Sequence, residues 1–118
     1  AIGISLPEFS SMEEVLIRAI LSGKDASMTA EEVNTVLGTS SKGIDLQRKV
    51  RSEVIKSINS KWGKVSNGGR LVQSTRNAED KRMITYRVDI TELSDSFQGR
   101  GLIQYFSAPD ISASAAQA

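Results

Sequence analysis

The feature that most constrains the fold is a series of three helical patterns within the first 62 residues, two of which begin with a capping box. In a capping box a Ser or Thr side chain accepts a backbone N–H, and a Glu three positions later reaches back to the backbone of that residue. Three such pairs stand in the sequence: the overlapping pairs Ser10 with Glu13 and Ser11 with Glu14, and then Thr29 with Glu32. Apolar residues follow each pair at spacings of three and four, which predicts helices over 11–22 and 29–37. Gly23 and Gly38 come just after these helices and suit a left-handed closing residue.

The third pattern predicts the longest helix, over 44–62, closed by Gly63. Its apolar residues recur at every fourth position: Leu46, Val50, Val54, Ile58 and Trp62. Such a series forms an apolar stripe, so we expect it to face the core, with Trp62 as a core residue. The outward side chains are then Arg48, Lys49, Ser52, Lys56 and Asn59. Because three of these five are basic, the outward face of the helix carries positive charge.

Beyond residue 69 the pattern changes from helical spacing to alternation. The segment 83–90 alternates apolar residues, among them Tyr86, with polar ones, and 71–75 is rich in β-branched residues. Both features are typical of β-strands. They predict a β-hairpin over 70–90 with a charged tip at 76–82 and with Tyr86 in the core.

The C-terminal part of the chain has a weaker pattern. We interpret Ser94–Gly101 as a loop, with Phe97 in the core. Leu102–Phe106 fits either a short strand or a helical turn, and we prefer a third strand. The last segment, 107–118, is mostly Ser and Ala and has too little apolar bulk to offset the entropy of ordering, which predicts a disordered tail. Residues 1–106 are then one domain, as expected for a chain of 118 residues.

The composition excludes several kinds of chemistry. The chain has no Cys and no His, which excludes disulfides, thiolate or imidazole metal sites and Ser-His or Cys-His catalytic pairs. It also has no Gly-rich phosphate loop. Glutamate pairs in the first helical turns are interpreted as caps rather than as acid-base pairs. We therefore expect no catalysis and no cofactor.

The absence of long apolar stretches points to a location. No apolar run approaches the roughly 18 residues of a membrane span. Residues 1–9 lack the basic start and long apolar stretch of a signal peptide. Together with the absent Cys, these features predict a cytoplasmic protein with no membrane partner.

Charge is unevenly distributed along a chain whose net charge is only +1. Residues 1–41 carry two basic and six acidic side chains, whereas residues 42–64 carry seven basic and two acidic ones. The third predicted helix lies in this basic block. Concentrated positive charge favours an anionic partner such as duplex DNA.

The order of these patterns resembles a known class. Residues 11–90 hold a helix, a short capped helix, a tight turn, a longer basic helix and a hairpin, and the segment Met28–Gly38 leading into Ile44 is similar to the positioning helix and turn of winged helix-turn-helix proteins. The resemblance implies an α+β fold of three helices followed by a β-hairpin wing. It also implies that helix 44–62 enters the major groove of DNA, with the hairpin 70–90 as the wing on an adjacent groove or the backbone.

The resemblance assigns roles to individual side chains. Base edges would be contacted by Gln47, Arg48, Arg51 and Ser52. The reason is geometric, because the Arg fork fits guanine and the Gln amide fits adenine. Phosphate contacts would come from Ser41, Lys42, Lys49 and Lys56, and from Arg76, Lys81 and Arg82 at the wing.

The function that this implies is sequence-specific binding of double-stranded DNA, by a transcriptional regulator or by a plasmid or phage replication or partition factor. A homodimer that pairs through 1–21 or 91–106 would read two half-sites about one helical turn apart. Two alternatives remain open: a winged-helix module that binds another protein within a larger assembly, and a DNA-binding domain of a larger enzyme such as a recombinase or nuclease.

Overall fold

The computed structural model describes residues 7–66, 69–79 and 83–107. In this part of the chain the fold is α+β, with five α-helices and one three-stranded antiparallel sheet, so the predicted class is confirmed and the predicted number of three helices is too low. The elements in chain order are α1 (Ser11–Ser22), β1 (Ser27–Thr29), α2 (Ala30–Val36), α3 (Ile44–Val65), β2 (Gln73–Arg76), β3 (Ile84–Arg87), α4 (Ile90–Ser94) and α5 (Phe97–Ser107), with a 3-10 turn over Lys24–Ala26.

One capping box is present at the start of α1 and one at the start of α2. Of the two overlapping boxes predicted for α1, the one of Ser10 with Glu13 forms, because Ser11 is already the first residue of the helix. Ser10 accepts the backbone N–H of Glu13 at 3.2 Å, and the carboxylate of Glu13 accepts the backbone N–H of Ser10 at 2.7 Å. Thr29 and Glu32 exchange the same two bonds. The bounds of α1 are confirmed, and α2 is one residue shorter at each end than predicted.

The two predicted left-handed glycines differ. Gly38 has φ +75° and ends α2 as expected. Gly23 has φ −72°, so the prediction of a left-handed conformation is wrong there. The chain reverses two residues later instead, where Asp25 and Ala26 both have positive φ values.

The hairpin prediction is confirmed, because β2 and β3 pair antiparallel with Ser74 opposite Tyr86. The sheet also contains β1, which pairs with the other edge of β3 and places Met28 opposite Tyr86. β1 has only three residues, too few for an alternating pattern to reveal it. The last residues of the predicted wing, Val88–Ile90, leave the sheet and lead into α4.

α3 buries a different face from the predicted one and continues through Gly63 to Val65. Its buried residues are Arg51, Ile55, Ile58 and Trp62, whereas Leu46 is 46% exposed and Val50 and Val54 are only half-buried. A step of four residues advances a side chain by about 40° beyond a full turn, so five residues at this spacing sweep about 160°. Only Ile58 and Trp62, at the end of the series, are therefore fully in the core, as expected for Trp62, while Val50 and Val54 pack against its edge.

The preferred prediction of a third strand at Leu102–Phe106 is wrong, because these residues belong to α5, and of the two options the helical one agrees with the structure. Asp89 caps α4 by accepting the backbone N–H of Glu92 at 3.0 Å. Leu93 of α4 and Leu102 and Phe106 of α5 are buried. Phe97, expected in the core, is 50% exposed. Ser107 ends α5, and the tail predicted to be disordered lies from 108 to 118, outside the described residues.

One apolar cluster joins the helices and the hairpin. Its fully buried members include Leu16 and Ile20 of α1, Val33 of α2, Ile58 of α3 and Leu102 of α5. The ring centroids of Phe9 and Phe106 lie 6.3 Å apart at one end of this cluster. No helix in the described part of the chain has the length and apolar character to cross a membrane.

Candidate nucleic-acid interface

A groove of about 920 Å³ lies between α3 and the hairpin, and we call it the α3–hairpin groove. One wall consists of α3 residues spaced three or four positions apart: Arg48, Ser52, Lys56 and Asn59. The other wall consists of alternate residues before and along β2: Arg70, Val72, Ser74 and Arg76. The lining also includes buried or half-buried side chains: Arg51, Ile55, Ile84 and Tyr86.

The α3–hairpin groove is strongly cationic. Its described lining includes five Arg or Lys residues and no Asp or Glu, and all five except Arg51 are exposed. Cations that share a concave surface without carboxylates create a positive potential that attracts anions. Lys61 of α3 is not part of the lining, because it forms an ion pair of 2.6 Å with Glu13 of α1.

The structure brings together five of the side chains predicted to contact DNA. Arg48, Arg51, Ser52, Lys56 and Arg76 all line the groove, with Arg51 buried and the others exposed. The other predicted residues lie elsewhere: Lys49 is exposed on α3 outside the groove lining, Ser41 and Lys42 are exposed in the turn before α3, and Lys81 and Arg82 lie outside the described residues. The outward face predicted for α3 is thus largely the wall that faces the hairpin.

Gln47 takes part in the turn between α2 and α3. Its Nε2 donates to the carbonyl oxygens of Ser40 at 3.0 Å and Lys42 at 2.9 Å, and its Oε1 accepts from Nδ2 of Asn34 at 3.3 Å. Both amide hydrogens are therefore engaged within the protein. A contact between Gln47 and adenine would require these bonds to break.

Arg51 links three elements from a buried position, since only 8% of it is exposed. Its Nε donates to the hydroxyl oxygen of Tyr86 on β3 at 2.8 Å, and its Nη1 donates to Oδ1 of Asn34 on α2 at 2.9 Å. Its guanidinium carbon lies 5.9 Å from the centre of the Tyr86 ring. Asn34 thus binds both Gln47 and Arg51, and the chain of bonds fixes α2, α3 and β3 relative to one another.

Two residues of the groove were missed as functional candidates. Asn59 was predicted only as an outward side chain, but its Oδ1 accepts the backbone N–H groups of Leu71 and Val72 and its Nδ2 donates to the carbonyl of Val72, which fixes the start of the hairpin to α3. No sequence signal indicates this contact. Arg70 was findable, because it precedes Val72, Ser74 and Arg76 in strict alternation on one side of the hairpin.

The carboxylates do not form a metal site in the described part of the chain, where no group of three His, Cys, Asp or Glu residues is placed to hold an ion. The interpretation of Glu13 and Glu32 as helix caps is confirmed. Burial would raise the pKa of Glu13, but hydrogen bonds from Lys61, Ser57 and the backbone of Ser10 outweigh it and lower the pKa to about 2. Glu13 is therefore ionised near neutral pH and does not act there as a proton donor.

The chain was compared with known proteins at three levels. No protein-family model, curated protein or solved structure matches it. Functional conclusions consequently depend on the geometry of the chain itself.

Proposed function

We propose that the chain is a winged-helix domain that binds double-stranded DNA, with α3 in the major groove and the β2–β3 hairpin against the adjacent backbone. The order of elements supports this proposal. A helix pair joined by a tight turn is followed by an antiparallel hairpin, and a short strand before the pair joins the hairpin to form one sheet. The resemblance to winged-helix proteins covers α1 to β3, and α4 and α5 follow after the part that it covers.

The observation that carries the proposal is the cationic lining of the α3–hairpin groove. Duplex DNA is a dense polyanion, and each phosphate that is neutralised by Lys or Arg releases counterions. A concave surface with five basic residues and, in its described lining, no carboxylate matches that partner. A face that was merely solvated would more often mix both signs of charge.

The geometry refines the role of each side chain in the proposal. Arg48 and Ser52, exposed on the groove side of α3, are the candidates for base edges. The proposed phosphate contacts are Ser41, Lys42, Lys49 and Lys56 before and along α3, together with Arg70 and Arg76 on the hairpin wall of the groove. Lys81 and Arg82, which lie outside the described residues, keep the phosphate role expected from the sequence. Gln47 holds the turn that presents α3 to the DNA, rather than reading a base.

The biological role that fits is occupancy of a DNA site without catalysis, as in a transcriptional regulator or a plasmid or phage replication or partition factor. Bound at a promoter or origin, such a domain blocks or recruits other proteins. The homodimer stays a prediction, and α1 and α5 would supply its surface, since they expose Met12, Val15 and Tyr105. A cytoplasmic location belongs to the same proposal.

The test is fluorescence anisotropy with a labelled random duplex of roughly 30 base pairs. Each phosphate contact should contribute about 0.9 to the slope of log K against log salt, so five contacts would lower affinity about 500-fold between about 50 and 200 mM salt. Lys56→Gln, in the groove, should lower the slope of log K against log salt by about 0.9. Lys64→Gln removes the same charge from an exposed site on α3 outside the groove lining and should leave the slope unchanged. Absence of binding at both salt concentrations would reject the proposal.

The second candidate is a module that binds another protein. It is favoured by Ile44 and Leu46, which are 72% and 46% exposed at the start of α3. Exposed apolar side chains together often mark a protein interface, although on DNA they would contact thymine methyl groups. If the duplex does not bind, this surface becomes the preferred site for a partner.

A further inference from the structure

Arg51 is a buried cation whose two protein partners are both neutral. Its guanidinium donates to the hydroxyl of Tyr86 and to the amide oxygen of Asn34. In the described part of the chain, no carboxylate lies within ion-pair distance of it. Removing a charge from water without a counter-charge is costly, so this position favours an anion brought by a partner.

The hydrogen-bond donors of Arg51 indicate where that anion would bind. A guanidinium has five N–H donors, and the two bonds to Tyr86 and Asn34 use one on Nε and one on Nη1. Nη2 makes no hydrogen bond within the described residues. Every fully buried side-chain nitrogen in those residues does have a hydrogen-bond partner. Nη2 is therefore reached by solvent.

The open space that Arg51 lines is the α3–hairpin groove. Arg48 precedes it by three positions on α3 and lines the same groove, so the two residues lie on one face of the helix. Tyr86 and Asn34 hold the Arg51 guanidinium in place before any partner arrives. A donor held in this way loses little conformational freedom on binding.

We propose that Arg51 is the fixed receptor for one phosphate group in the α3–hairpin groove, with Nη2 donating to a non-bridging oxygen and Arg48 supplying a second positive charge. This inference rests on the proposed function, because the phosphate is assigned to the backbone of the bound duplex. It changes the role expected for Arg51 from the sequence, which was a contact to a base edge. A fixed, mostly buried Arg holds the register of the backbone instead of reading a base.

The first experiment detects the phosphate site without DNA. The Arg51 Nε–H is buried and hydrogen-bonded, so its exchange with water should be slow enough for a resolved ¹H–¹⁵N signal. Titration with inorganic phosphate should shift this signal saturably, and sodium chloride at equal ionic strength should not. The backbone amide signals of α5, which lies outside the groove lining, are the internal control.

The second experiment measures the salt dependence of duplex binding for Arg51→Gln and for the control Lys64→Gln. Loss of one phosphate contact should lower the slope of log K against log salt by about 0.9. The loss of duplex affinity between about 50 and 200 mM salt should then be about 3.5-fold smaller for Arg51→Gln than for the wild type. Tyr86→Phe removes the Nε acceptor but no charge, so it should reduce affinity with an unchanged slope. This difference separates a phosphate contact from a purely structural role.

The combined outcomes distinguish the inference from the proposed function. A phosphate-dependent shift together with a lower slope for Arg51→Gln supports both. A shift without any duplex binding rejects DNA as the partner and assigns the site to a free phosphate-bearing ligand. Duplex binding with no shift and an unchanged slope overturns the inference and leaves the proposed function in place. If Arg51→Gln does not fold, the wild-type titration decides, and a phosphate titration that leaves the Arg51 signal in place overturns the inference.

Discussion

Glu13 connects two helices through one carboxylate. It completes the capping box at the start of α1 and accepts a hydrogen bond from Lys61 of α3 at 2.6 Å. Burial would raise its pKa, but the bonds from Lys61, Ser57 and the backbone of Ser10 lower it from 4.5 to about 2. The ionised form therefore stabilises the folded state.

The depressed pKa of Glu13 predicts that the stability of the fold depends on pH. Because the folded pKa is depressed, the contribution of Glu13 is complete above its unfolded pKa and is lost as the pH falls from about 4.5 to about 2. Glu13→Gln keeps a capping side chain but removes the charge, and at pH 7 it should cost about 2 to 3 kcal/mol. Urea unfolding across this pH range is the measurement. The two curves should converge near pH 2, and curves that stay parallel would contradict the assignment.

Some contacts of single residues could be predicted from the sequence, and others could not. The caps at Ser10 and Thr29 were predictable because their partners lie three positions away. The basic wall of α3 was predictable from helical spacing. The buried position of Arg51 was not, because its partners are separated from it by 17 and 35 positions and a charged residue is normally placed on the surface.

At the scale of elements, α4 and α5 depend on tertiary packing more than on local preference. Ser94–Gly101 is predicted as a loop because Ser, Asp and Gly are frequent in it. Short helices are also only marginally stable in isolation. In the fold α5 packs against α1 and against α4, which buries Leu93 and Leu102. Those contacts are invisible to a local pattern, whereas α1, α2 and the hairpin carry their own local signals.

Gly99 lies where the helices α4 and α5 approach each other closely, so a side chain at this position should destabilise the fold. A Cβ atom at Gly99 would clash with the backbone oxygen of Leu93, which cannot move away as a flexible side chain would. Alanine favours a helix interior by about 1 kcal/mol over glycine, but this clash should make Gly99→Ala a net loss of about 2 kcal/mol. Gly43→Ala is the control, since its Cβ would meet nothing within 4 Å and should cost less than about 1 kcal/mol. Thermal unfolding of both variants checks the difference, and a stabilised Gly99→Ala would show that the helices are farther apart.

In the molecule as a whole, the parts that stabilise the fold and the parts that carry positive charge are arranged on different elements. α4 and α5 complete the core against α1, and none of their residues lines the α3–hairpin groove. The groove cations are exposed, apart from Arg51, and contribute little to the core. Stability and DNA binding should therefore respond to different substitutions.

Substitutions in the core and in the groove should have opposite effects on stability and on the salt dependence of duplex binding. Leu102→Ala removes a fully buried side chain and should cost about 3 kcal/mol of stability, while the salt slope of duplex binding stays unchanged wherever the variant is folded. Arg70→Gln removes an exposed groove cation and should change stability by less than about 0.5 kcal/mol, but it should lower the slope by about 0.9. Urea unfolding and anisotropy on the same preparations measure both quantities. If Leu102→Ala also lowered the slope, the groove would depend on the packing of α4 and α5, and the separation between core and charged groove would be wrong.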